Sequence, residues 1–201
     1  TAQSFDTVAK AAQEFARQGL GVEETLKRVA GALTLTRQSG LGIDKSIDSI
    51  TDALNGFAKE NLNVSKVINS LIAVDTKFAV NAGDLAEALS RVGSAASDAG
   101  VSFDELVGLV TSAQQITARG GAVIGNSLKT IFTRVQRTDT LDQLEALGVT
   151  VKNLQGNALP AIKILQNLAN SFDGLSEAQK NSVSELNPVR IKFAHKIICL
   201  I

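Results

Sequence analysis

The chain has 201 residues, 44% hydrophobic and 20% charged, with 20 basic and 20 acidic side chains. That composition excludes a disordered polar chain and is long enough to bury a core, while the charge balance argues against bulk nucleic-acid binding through a basic surface. Aromatic residues are only 4%, all phenylalanine, and there is one cysteine, Cys199, so the core must be aliphatic and no internal disulfide or cysteine-cluster metal site is available.

The first 120 residues break at near-regular intervals. Gly21-Val22-Glu23, Gly42-Ile43-Asp44 and Asn63-Val64-Ser65 stand 21 residues apart, and further breaks follow at residues 81–84 and 100–102. Each reads as a Gly or Asn that ends one helix, then an acid or Ser that begins the next. One helix plus one turn, repeated, is the simplest account.

Between the breaks the apolar residues keep helical spacing. Ile47, Ile50, Leu54, Phe57 and Ala58 form one stripe over residues 45–61. Val67, Ile68, Leu71, Ile72, Phe78 and Ala79 form the next over 66–80, and Leu85, Ala88, Leu89, Val92 and Ala96 the third over 85–99. Asp75 falls near the apolar stripe of its helix, where a cap, a partner contact or a salt bridge explains it better than general-base catalysis. Glu87 and Arg91 have the spacing of an ion pair on an outer face. Ser102 and Glu105 predict a capping box, with Val101 and Leu106 placed as a hydrophobic staple.

Residues 120–135 open like a phosphate-binding loop: Gly120, four residues, Gly125, then Asn126-Ser127. Such a loop needs a preceding strand and a lysine where Asn126 stands. Here the preceding segment, 103–118, is helical, and no hydrophobic strand ends in a magnesium-binding Asp. The glycines read instead as a helix–linker–helix joint made of Gly120, Gly121, Gly125 and Asn126, with Asn126 or Ser127 capping the new helix. The expectation is that this joint lets the two helices change their relative angle. Arg119, Lys129, Arg134 and Arg137 make the region locally basic against Asp139, for which a solvated helix face is the favoured reading.

After residue 140 the style changes. A short helix at 141–147 stops at Gly148. Val149, Val151 and a turn at Gln155-Gly156-Asn157 predict a small β-hairpin near residues 149–161. Helices follow at 161–171 and 176–186. Residues 189–201 are apolar and basic, with Arg190, Lys192 and Lys196. His195 and Cys199 lack placed catalytic partners. The chain is therefore expected to be mainly α, a multi-helix array of amphipathic helices with one small hairpin. The expected regions are 1–139, 140–188 and 189–201. The chain has no methionine, which leads us to expect a longer parent protein. No catalytic, cofactor or metal site is expected.

The run from residue 82 to 135, "AGDLAEALSRVGSAASDAGVSFDELVGLVTSAQQITARGGAVIGNSLKTIFTRV", resembles the conserved core region of bacteriophage tail tape measure proteins. The resemblance continues through Leu141, Leu147, Gly148-Val149, Val151, Gly156, Ile162 and Leu168. It covers about residues 20–186. It departs from the family after 186, at Asn187-Pro188. The resemblance implies a structural virion protein that sets tail length during assembly. It implies residence in the tail tube lumen until genome ejection, after synthesis in the host cytoplasm. Implied partners are several parallel copies of itself, the tail tube protein, tail tip proteins and tail assembly chaperones. Host membrane contact at ejection is a further implied partner, and sequence-specific nucleic acid is not. A membrane-active helical module is the alternative, motivated by the apolar basic tail and the Ala/Gly-rich helices.

Overall fold

The structure is a computed structural model, described over residues 4–78, 80–172 and 174–180. The elements run α1 (Phe5–Arg17), α2 (Val22–Ser39), α3 (Ile43–Gly56), a 3-10 turn (Ala58–Glu60), α4 (Val64–Lys77), α5 (Ala82–Asp98), α6 (Phe103–Thr117), α7 (Gly121–Val135), α8 (Thr138–Ala146) and α9 (Ala161–Phe172). The expected array of amphipathic helices is present.

The five predicted breaks are helix starts. Gly21, Gly42, Asn63, Asn81 and Ser102 are the N-caps of α2 to α6. Each has extended backbone, and its neighbour begins the helix. At the first four breaks the Gly or Asn thus opens the following helix rather than closing the preceding one, and α2, for instance, ends at Gly40, which is left-handed at φ 73°. At the fifth, left-handed Gly100 closes α5 as expected and Ser102 opens α6. Asn63 accepts the Lys66 N–H, and Ser102 forms the expected capping box with Glu105. Such caps satisfy donors that the first turn leaves free.

The predicted stripes form the core. Ile47, Ile50, Leu54 and Phe57 of the first are buried, as are Val67, Ile68 and Leu71 of the second and all five residues of the third. Ala58 and Phe78 instead stay exposed, past the ends of α3 and α4, and Ala79 lies outside the described residues. Phe57 and Phe103 meet edge to face at 5.5 Å between ring centroids, a favoured aromatic geometry. Val101 and Leu106 are both buried. Glu87 and Arg91 pair at 2.9 Å.

The predicted β-hairpin does not form. Among the described residues there is no strand, only an isolated antiparallel bridge between Lys152 and Ala158. The segment turns as expected: Asn153 accepts the Gln155 and Asn157 N–H groups, and Leu159 donates to the Val151 carbonyl. The Asn153 N–H also donates to the Asn157 carbonyl, but other backbone groups of the segment bond outside it. The Thr150 carbonyl accepts from Asn167, Val149 donates to Leu144, and Ala161 donates to Ala99. Pro160 has no N–H to offer a ladder. Val149 and Val151 are both buried, so the arms serve as packing segments between α8 and α9.

Beyond α9, the Ser176 hydroxyl accepts the Gln179 N–H and the Gln179 side chain accepts the Ser176 N–H, which starts the expected final helix. The rest of that helix, the segment 189–201, His195 and Cys199 lie outside the described residues.

Candidate functional site

The glycine-rich stretch sits where α7 crosses α5 with backbone close against backbone. α6 ends at Thr117, and Ala118 takes a left-handed conformation at φ 50°. Gly120 is the N-cap of α7, with φ −64° and ψ 158°. α7 then runs without interruption from Gly121 to Val135. Asn126 and Ser127 therefore lie inside the helix and do not cap it. Asn126 points to solvent, and its carbonyl accepts the Thr130 hydroxyl in the ordinary i,i+4 manner. The start moves upstream because Gly120 gains a cap that the local sequence does not contain.

That cap is Asp84, in the first turn of α5. Its Oδ1 accepts the Gly121 N–H at 3.1 Å. α7 has no acid in its own first turn and no side-chain N-cap, so Asp84 supplies the negative charge that a helix N-terminus favours. Two other starts are held alike. Asp75 of α4 accepts the Ala82 N–H of α5 at 2.9 Å, and Glu60 accepts the Phe103 N–H of α6 at 2.9 Å. Ala82, Phe103 and Gly121 are the first residues of their helices. Where a local cap exists it serves a later amide: Asn81 takes that of Gly83, and Ser102 that of Glu105. The unusual position of Asp75 is thus explained as a cap.

Gly121 and Gly125 are one turn apart on the α7 face that meets α5. A Cβ on Gly121 would fall 2.7 Å from the Asp84 carbonyl carbon and closer still to its oxygen. On Gly125 it would fall 2.8 Å from the Ala88 carbonyl oxygen. Both obstacles are backbone, so neither can swing aside. These two glycines serve backbone-to-backbone packing, the role small residues play wherever helices approach closely. A related contact joins α3 to α5: a Cβ on Gly56 would fall 3.3 Å from the Gly93 backbone.

Of the four residues expected in the joint, only Gly120 lies between the helices, while Gly121, Gly125 and Asn126 are inside α7. Asp84 and Glu60 were missed, since their partners stand 37 and 43 positions away. One local hint existed: a helix start with neither an acid nor a capping hydroxyl must find its acceptor elsewhere.

The described residues contain no group of three or more His, Cys, Asp or Glu side chains able to hold a metal ion. Among them no helix is long and apolar enough to cross a membrane. What the geometry defines is an array of amphipathic helices packed on a common core. A family model described as "Phage-related minor tail protein" matches residues 1–185. The chain belongs to that family, and it is a structural component of a phage tail and thus of the virion. No solved structure matches the chain at a significant level.

Proposed function

We propose that the chain is part of a tape measure protein, the tail component whose length sets tail length during assembly and which occupies the tube lumen until the genome is ejected. The observation that carries this reading is the ordered series of motifs from residue 82 to 168. In the structure it corresponds to α5 through α9, inside the span matched by the minor tail family. The partners in this reading are parallel copies of the chain, the tube and tip proteins and the assembly chaperones. The role is mechanical. Gly121 and Gly125 hold α7 against α5, and Gly120 with Ala118 is where the angle between α6 and α7 can change.

The test is genetic. In-frame shortening and lengthening of the parent gene should shorten and lengthen the tails in proportion, as measured by electron microscopy. Tails of unchanged length would rule out the ruler role.

A further inference from the structure

The array carries opposite charges on two of its surfaces. α5 lies between α3 and α7 and packs on both. Its Asp84, Ala88 and Arg91 meet the α7 glycines, whereas its Gly93 meets Gly56 of α3. At 100° per residue, Gly93 is about 180° around the helix from Asp84. α3 and α7 therefore sit on opposite sides of α5.

The α3 flank is acidic. Asp44, Asp48 and Asp52 recur every four residues, and Asp48, Asp52, Asp84 and Glu87 line a groove of about 450 Å³ between α3 and α5, with Lys45 its one base. Asp44 is paired with Lys10 and Glu87 with Arg91. Asp48 is exposed and Asp52 half-buried, and neither has an ion-pair partner among the described residues. Partial burial, then repulsion from Asp52, Asp44 and Glu14, holds the Asp48 carboxyl above its ordinary range. A cation here would relieve that repulsion.

The α7 flank is basic. α7 contains no acid at all. Lys129 on its outer face and Arg137 just beyond its end are exposed and unpaired among the described residues. Val123 adds an exposed apolar side chain to the same helix.

We propose that the acidic groove between α3 and α5 receives the basic outer face of α7 from a second copy of this chain. The contact is heterologous: each copy offers its groove to one neighbour and its α7 to the other. Opposite potentials set the orientation and speed the encounter. An interface built on exposed charges is weakened by salt, since the screening length is about 10 Å at 0.1 M.

The experiment is sedimentation velocity on the purified chain at low and high salt. The wild type should associate, and more strongly at low salt. Two charge-reversed variants, D48K/D52K and K129E/R137E, should each associate at least about tenfold more weakly. Mixed together, they should associate again with the two variants alternating, because the reversed groove of one fits the reversed α7 of the other and the unreversed pair still fits. Circular dichroism establishes that both variants are folded. A wild type that stays monomeric at low salt, or association indifferent to both reversals, would overturn the interface. Either result leaves the tail-length reading to its own genetic test.

Discussion

Replacing Gly121 by Ala should destabilise the chain, although alanine is the better helix former. The new Cβ would stand 2.7 Å from the Asp84 carbonyl carbon and 2.9 Å from its Cα, where ordinary contact begins at 3.4 Å. Both are main-chain atoms of α5, so relief requires moving α7 as a body. Overpacking of this kind costs about 1–3 kcal/mol. The shift also stretches the Asp84–Gly121 hydrogen bond, already 3.1 Å long, and a bond to a charged group is worth about 1.5–3 kcal/mol. The gain in helix propensity is at most about 1 kcal/mol, and less at the first residue of a helix. The net expectation is a loss of about 2–4 kcal/mol. Gly108 is the internal control. It lies inside α6, and a Cβ there meets nothing within 4 Å. Gly108→Ala should therefore stabilise by up to about 1 kcal/mol. Urea unfolding followed by circular dichroism measures both. If G121A unfolds with wild-type stability, or if G108A loses as much as G121A, the close-crossing argument is refuted.

Two further outcomes follow from the acids. Asp84→Ala removes the carboxylate at the start of α7 and should cost about 1.5–2 kcal/mol, read as a lower urea midpoint with unchanged slope. Asp48→Asn should behave in the opposite sense. The Asp48 carboxyl titrates above its ordinary 3.8 in the folded chain, through burial and then repulsion by Asp52, Asp44 and Glu14. The folded state thus holds this proton more tightly than the unfolded state does, and stability is lost as pH rises from 3.8 through the folded value. At pH 7 the Asn variant should be more stable by a few tenths of a kcal/mol, since the group is exposed and screened. Unfolding curves at pH 7 and just below pH 3.8 should show that advantage vanish on acidification; an advantage independent of pH would contradict the titration account.

The helix starts were legible because a cap is a local event. Asn63 and Ser102 reach amides three residues on, within the window that spacing rules describe. Two of the readings that failed depended on remote groups. The segment 149–161 has hairpin spelling, but its Thr150 carbonyl is taken by Asn167 and its exit is tied to Ala99. Asn126 has the chemistry of a cap, yet with Asp84 at hand the cap position of α7 lies six residues upstream, at Gly120. The uncapped start at residue 121 hints that an acceptor is needed, but nothing near it says which helix supplies the carboxylate. The acidic groove was illegible for the same reason: Asp48 and Glu87 share it only once α3 and α5 have packed.

The three carboxylates that hold later helix starts share an order along the chain. Glu60 precedes Phe103, Asp75 precedes Ala82, and Asp84 precedes Gly121. Each acceptor is therefore synthesised before the amide it receives. The first four helices also pack among themselves, α1 and α2 with α3, and α2 and α3 with α4, so they can assemble before α5 leaves the ribosome. A chain growing from its N-terminus then offers every emerging helix from α5 to α7 a docking acid that is already in place, and the array can be built in the order in which it is translated.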